Sequence, residues 1–194
     1  MTNIRLDIEY KGTSFAGWQV QPEQKTVQGE ITQGIFRVTS QQVEVTGAGR
    51  TDSGVHALGQ VANFKIEHHL APERYRDALN YHLPDDIRIR NSEAVSDEFH
   101  ARFGAKSRRY RYLLSSERSA IYRDLRWENT IALDGDLLRA SAGEIVGSHD
   151  FTSFCVVASQ KEDNTCIVES SRWRKVGPLW VYEIRGNRFL HSMV

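Results

Sequence analysis

The chain has 194 residues, 40% of them hydrophobic and 26% charged, which is typical of a globular protein with one large or two small domains. No apolar run approaches the roughly 20 residues of a membrane-spanning helix, and the N-terminus is charged where a signal peptide would be apolar. We therefore expect a cytoplasmic protein without membrane association. Basic and acidic residues balance at 25 each, so the net charge itself gives no hint of a nucleic-acid partner.

Hydrophobic periodicity predicts a β-α-β-β-α-β order for the first half of the chain. Apolar and charged residues alternate from Ile4 to Tyr10, as in a half-buried strand, and helical spacing runs from Val27 to Val38 behind a capping Thr26. The later elements are a β-branched run at Val43–Thr46, a glycine-rich loop, a strand at 61–67, a helix from Pro72 and a strand at Ile87–Arg90. This order is that of a ferredoxin-like fold, an antiparallel sheet with both helices on one face.

The second half is predicted to begin another unit of the same kind. The predicted elements are strands at 99–103 and 108–114, a helix from about Asp136 to Val146, a hairpin of 167–176 with 179–186 across Gly177-Pro178, and the first turns of a helix at 187–194. We expect domains at residues 1–97 and 98–194, the second of them incomplete. The cysteines, Cys155 and Cys166, have neither disulfide nor zinc-site spacing and are interpreted as structural thiols.

A basic segment with interleaved aromatic residues runs from His100 to Arg111. Its basic members are Arg102, Lys106, Arg108, Arg109 and Arg111, and no acidic residue lies among them. Basic groups neutralise phosphates and aromatic faces stack on bases, so the mixture favours RNA binding. The alternative is a solvated strand edge protected by arginine, and composition does not distinguish the two.

The loop from Gly47 to Ala57, GAGRTDSGVHA, contains charged residues between two predicted strands. The glycines of the loop permit tight turns, and these glycines frame Arg50, Asp52 and His56. Such a cluster is typical of a functional site, although an aspartate that caps a turn would look the same. Asp52 and His56 have a metal-pair spacing without an evident third ligand, so we predict no metal.

The GRTDSGVHA motif resembles the signature of the TruA-type tRNA pseudouridine synthases. Five further segments are similar to the other motifs of that family and occur in the same order, at residues 10–19, 26–30, 99–112, 150–154 and 189–194. Six ordered matches are far more specific than any one of them. The resemblance implies an α+β pseudouridine synthase fold, with two ferredoxin-like halves, antiparallel sheets and a catalytic cleft between the halves.

The resemblance also implies the reaction, which converts uridine to pseudouridine in the anticodon stem-loop of tRNA at positions thirty-eight to forty. Asp52 is implied as the catalytic carboxylate, Arg50 as the residue that extrudes the target base, and Tyr110 as the tyrosine that packs on that base. A carboxylate can form a covalent adduct and be expelled again, and a stacked base must be extruded before it can react. The reaction is redox-neutral, so we expect no cofactor.

In the family, the last motif continues into a basic residue that is expected to pair with the catalytic aspartate, whereas this chain ends at Val194. We therefore expect a truncated second half, poor activity and self-association of this chain, and a homodimer for a full-length version. Two alternatives remain open: a catalytically inactive RNA-binding module, and a metal-dependent hydrolase that uses Asp52 and His56.

Overall fold

The computed structural model describes residues 1–67, 70–129 and 131–194, which divide into unit 1, Met1–Ala105, and unit 2, Lys106–Val194. Both units combine helices with a β-sheet, in agreement with the predicted α+β class. The division lies between Ala105 and Lys106 rather than between residues 97 and 98. Residues beyond 97 stay with unit 1 because the Asn3 amide donates to the Phe99 carbonyl oxygen and the Ala101 N–H donates to Asn63.

Unit 1 is a four-stranded antiparallel sheet with the strand order β2-β3-β1-β4 and two helices on one face. Its elements are β1 (Thr2–Tyr10), α1 (Val27–Thr39), β2 (Thr46–Gly47), β3 (Ala57–Ile66), α2 (Tyr75–His82), β4 (Ile87–Val95) and the helical turn α3 (Ala101–Gly104). The first six follow the predicted β-α-β-β-α-β order.

The core of unit 1 forms because alternate residues of β1 face the two helices. Ile4, Leu6 and Ile8 are at most 1% exposed, and they belong to one buried cluster with Ile31 of α1 and Leu79 of α2. Burial of each such side chain contributes roughly 1.5 to 3 kcal/mol. The alternation predicted for this strand is therefore confirmed, and it fixes which face of the sheet is apolar.

The N-terminus of α1 is capped by Thr26, as predicted, because its hydroxyl accepts a hydrogen bond of 3.3 Å from the Gly29 N–H. We expect Thr26→Ala to lower the free energy of unfolding by about 1 kcal/mol through loss of this acceptor. Thr26→Ser keeps the hydroxyl and should retain most of the stability. Urea denaturation of both variants tests this, and equal losses would assign the effect to the methyl group instead.

Several predicted strands of unit 1 have different bounds in the structure, and the strand predicted at 61–67 runs from Ala57 to Ile66. The strand predicted at Val43–Thr46 is wrong in extent, because β2 consists of Thr46 and Gly47 only. Val45 is buried, and its carbonyl oxygen accepts a 2.7 Å hydrogen bond from the Gln28 side chain. β4 is longer than predicted because its pairing with β1 continues to Val95.

Unit 2 contains a five-stranded mixed sheet with the order β6-β5-β9-β8-β7. Its elements are β5 (Arg108–Ser115), β6 (Trp127–Glu128), α4 (Gly135–Glu144), β7 (Gly147–Asp150), β8 (Thr165–Val176) and β9 (Leu179–Gly186). The predicted hairpin is confirmed, since β8 and β9 pair antiparallel with Val176 opposite Leu179. The helix and the strand β5 are also confirmed, whereas β6 and β7 are too short to give a periodic signal.

Two further predictions are wrong. Residues 99–103 contain the helical turn α3 instead of a strand, because the His100 side chain accepts a hydrogen bond from the Phe103 N–H at 3.3 Å and caps the turn. Residues 187–194 do not begin a helix. There, the Met193 N–H donates to the Leu190 carbonyl oxygen across a turn in which Ser192 has a φ of 61°, and Phe189, Leu190 and Met193 pack on the core of unit 2.

Within the described part of the chain, no helix has both the length and the apolar character needed to cross a membrane. Both cysteines are buried free thiols, in agreement with their predicted structural role. Burial raises the pKa of the Cys166 thiol, which keeps it protonated at neutral pH.

Candidate functional site

The loop that carries Asp52 is held by the chain segment that follows β1. We call residues 48–56 the Asp52 loop and residues 10–18 the floor segment. The Trp18 N–H donates to the Thr51 carbonyl oxygen at 3.0 Å, and the Gly54 N–H donates to the Phe15 carbonyl oxygen at 3.3 Å. The backbone is therefore anchored on both sides of Asp52.

The floor segment is itself fixed by the core of unit 1. Its three aromatic residues, Tyr10, Phe15 and Trp18, are each 2% exposed and belong to the buried cluster. The Tyr10 hydroxyl forms a 2.8 Å hydrogen bond with the Thr51 hydroxyl, which adds a side-chain contact to the backbone anchors. The position of the loop is thereby coupled to the stability of the unit 1 core.

Two glycines allow the floor segment and the Asp52 loop to touch. A Cβ atom at Gly12 would lie 2.0 Å from the Val55 carbonyl oxygen. A Cβ atom at Gly17 would lie 2.6 Å from the Thr51 carbonyl oxygen, and Gly17 has a φ of +92° that other residues rarely adopt. The sequence predicts close approach within the loop, but it does not identify these two glycines, because their partners lie about 40 residues further along the chain.

The two charged residues proposed for the chemistry, Arg50 and Asp52, are both exposed. The Asp52 carbonyl oxygen accepts a hydrogen bond from the Val55 N–H at 3.2 Å, so the loop turns directly after the aspartate. The geometry presents a carboxylate to solvent on a fixed backbone, which is what a nucleophile for a large substrate requires.

His56 is half-buried, and its Nδ1 atom accepts a 3.0 Å hydrogen bond from the Gly12 N–H. One ring nitrogen is therefore used to join the loop to the floor segment. Within residues 1–67, 70–129 and 131–194, no three or more His, Cys, Asp and Glu side chains are grouped as metal ligands.

Tyr110 lies in β5 of unit 2, whereas Arg50 and Asp52 lie in unit 1. Its ring is 5.3 Å from the Phe189 ring in an edge-to-face arrangement, and it is paired with Ile184 of β9. The side chain is partly buried against the core of unit 2. The residue is therefore only partly covered, as a residue that both supports a core and contacts a base would need.

The five basic residues of the predicted RNA-binding segment have different environments. Arg102, Lys106 and Arg109 are exposed. Arg108 donates a 2.7 Å hydrogen bond to the Asn187 carbonyl oxygen, and Arg111 forms an ion pair with Glu183. The segment also crosses the boundary between the two units, so it does not form a single surface on one element.

Glu183 of β9 holds three arginines, a role that the sequence does not predict. It is 6% exposed, and its carboxylate lies 2.8 Å from Arg111, 2.9 Å from Arg172 and 3.3 Å from Arg174. Hydrogen bonds from Arg111 and then Arg172 lower the pKa of the carboxyl group to about 2. The alternating charges of the predicted hairpin are the sequence signal for this cluster. Which charges meet can be read from that signal only when the strand register is known.

Glu183→Gln should reduce stability at neutral pH by about 1 to 2 kcal/mol, less than the full pKa shift implies because the arginines are about half exposed. Glu183 ionises more easily in the folded protein, so its contribution is complete above the ordinary carboxyl pKa. It is lost as the pH falls towards about 2. Urea denaturation of both proteins at pH 7 and pH 3 tests this, and an equal difference at the two pH values would contradict it.

Comparison with known proteins identifies the family. The family profile described as tRNA pseudouridine synthase matches residues 8–104 and 142–194, which include the floor segment and the Asp52 loop, whereas Tyr110 lies between the matched ranges. The tRNA pseudouridine synthase A of Bacillus pumilus is 40% identical over 98% of this chain and 79% of its own length. The corresponding proteins of Chlorobium limicola and Chlorobium chlorochromatii are 40% and 43% identical over the whole chain and 80% of theirs. The chain belongs to the tRNA pseudouridine synthase family.

Proposed function

We propose that this protein is an isomerase that converts uridine to pseudouridine in the anticodon stem-loop of tRNA, at positions thirty-eight to forty, with Asp52 as its nucleophile. The observation that carries the proposal is the exposed Asp52 on a loop whose backbone is anchored on both sides. Membership of the family supports the reaction. The location in the cytoplasm and the homodimer stay predictions.

In the proposed reaction, the Asp52 carboxylate forms a covalent adduct with the target nucleotide and is later expelled. The bond between N1 of uracil and C1′ of the ribose breaks, the base rotates, and a bond from C5 to C1′ replaces it. The proton on C5 leaves and N1 gains one, so the reaction is balanced without a cofactor. Arg50 offsets the stacking energy lost when the base is extruded, and Tyr110 packs on the extruded base.

The fold is consistent with this proposal. The all-antiparallel order β2-β3-β1-β4 with both helices on one face supports a ferredoxin-like unit 1. Unit 2 is the second such half in the proposal, and it carries Tyr110. The exposed Arg102, Lys106 and Arg109 bind tRNA phosphates, while Arg108 and Arg111 bind phosphate with guanidinium groups that the protein already positions.

The direct test is to incubate a version of the protein extended to the length of its relatives with an unmodified tRNA transcript, and to map pseudouridine by carbodiimide labelling and primer extension. We expect modification at uridines in the three anticodon stem-loop positions. A transcript with cytidine at those positions, and compensating changes in the stem, is the matched control. Binding of the uridine-containing transcript without any pseudouridine would contradict the proposal and favour an inactive RNA-binding module.

A further inference from the structure

One face of the unit 2 sheet is occupied by arginines from three neighbouring strands. Residues paired in register on neighbouring strands share a face, as do alternate residues of one strand. Arg109 pairs with Arg185, Arg111 pairs with Glu183, and Arg172 pairs with Glu183 on its other side. We call this surface the arginine face, and its arginines are Arg109, Arg111, Arg172, Arg174 and Arg185.

The arginine face is positively charged although the protein as a whole is neutral. Two carboxylates pair with four of its five arginines: Glu183 contacts three of them, and Glu169 lies 2.8 Å from Arg185. The side chains of the four paired arginines remain 46% to 64% exposed, and Arg109 is exposed as well. The excess charge is therefore accessible to a ligand.

Glu183 keeps three guanidinium groups in a fixed arrangement. Arg111 donates two hydrogen bonds to one carboxylate oxygen, Oε1, and Arg172 donates two to the other, Oε2. A guanidinium group held in this way retains free N–H donors and loses little conformational entropy when it binds a phosphate. Arg172 and Arg174 lie two residues apart on β8, roughly 6.6 Å along the strand. This spacing is comparable to that of successive phosphates on a nucleic-acid strand.

The face recognises charge rather than bases. In β5, β8 and β9, the aromatic residues all lie on the opposite face, and they are Tyr110, Tyr112, Trp173, Trp180 and Tyr182. Phosphate contacts position a nucleic acid without reading its sequence, whereas aromatic stacking engages unpaired bases. Because Tyr110 lies on the other face of the sheet, the arginine face is a separate surface from the one proposed to contact the target base.

We infer that the arginine face binds the phosphate backbone of tRNA, with Glu183 as the residue that positions three of its arginines. This inference rests on the proposed function for the choice of tRNA as the ligand. It assigns Arg172, Arg174 and Arg185, which lie outside the basic segment recognised in the sequence, to tRNA binding.

The test is equilibrium binding of fluorescently labelled, unmodified tRNA, measured by anisotropy across a series of salt concentrations. For the double variant Arg172→Gln/Arg174→Gln, we expect weaker binding by on the order of tenfold or more at low salt, and a logarithmic salt slope lower by about two. Arg185→Gln lies outside both the Glu183 cluster and the basic segment, because Arg185 pairs with Glu169, and it should lower the slope by about one. This second variant keeps the inference testable if the double variant does not fold.

Arg90→Gln is the matched control, because Arg90 lies on the unit 1 sheet, is 65% exposed and is paired with Glu9. It should bind tRNA with the wild-type affinity and slope. Unchanged binding by Arg185→Gln and the folded double variant would overturn the inference. Loss of self-association in these variants without a change in the salt slope would also overturn it. The binding assay involves no turnover, so its result is independent of the modification assay. If the unsubstituted protein forms no pseudouridine and these variants still bind tRNA more weakly, the isomerase proposal is rejected and the binding surface is retained.

Discussion

Gly12→Ala is expected to destabilise the protein by about 3 kcal/mol and to reduce pseudouridine formation by at least about 100-fold. The added Cβ atom would lie 2.0 Å from the backbone oxygen of Val55, so one of the two chain segments must move. The movement breaks the hydrogen bond from the Gly12 N–H to His56 and displaces the Asp52 loop from the floor segment. Urea denaturation and the initial rate of tRNA modification measure the two effects.

Gly59→Ala is the control for this substitution. Gly59 lies in β3 of the same unit, is exposed, and has open space where a Cβ atom would be placed. Its replacement should change stability by less than about 0.5 kcal/mol and leave modification unaffected. Wild-type stability and activity in Gly12→Ala would mean that the loop readjusts freely, and that the floor segment does not fix Asp52.

Asp52→Asn is expected to lower the rate of pseudouridine formation by more than about 1000-fold while leaving the fold intact, because the neutral amide cannot form and release the covalent adduct. Asp52 is exposed, so the free energy of unfolding should change by less than about 0.5 kcal/mol. Binding of tRNA should persist. Single-turnover assays with saturating protein separate the chemical step from binding.

Asp97→Asn provides the matched control, since Asp97 is another exposed aspartate of unit 1 outside the Asp52 loop. It should modify tRNA at the wild-type rate. Turnover by Asp52→Asn within tenfold of wild type would place the nucleophile on another residue, and it would leave the anchored loop without a catalytic explanation.

The parts of the fold that were predictable are those encoded by local periodicity. Alternation in β1 and helical spacing in α1 reflect which side chains are buried, and this requirement is visible along the sequence itself. The start of β2 and the position of α3 depend instead on a hydrogen bond that Gln28 donates and one that Asn63 accepts, and both residues are distant in the sequence from the segments they hold. Such contacts replace strand pairing, but they leave the hydrophobic pattern of the sequence unchanged, so periodicity does not reveal them.

The candidate site was predictable to a similar extent. Glycine and charge composition identified the Asp52 loop, and the resemblance gave Asp52 its role. Composition did not identify Gly12 as the support of that loop, because a close approach between distant segments leaves no local signal. The three-arginine cluster of Glu183 was not predictable for a related reason, since it exists only in one register of β8 and β9.

The bonds between the floor segment and the Asp52 loop are made largely by main-chain groups, such as the Trp18 N–H and the Phe15 carbonyl oxygen. Main-chain hydrogen bonds of this kind do not depend on which side chain the residue has. Saturation mutagenesis should therefore give an uneven profile over residues 10–18, in which exposed positions such as Ser14 accept most amino acids and Gly12 and Gly17 accept none. Natural variation near the proposed nucleophile would then be confined to side chains that the loop does not use.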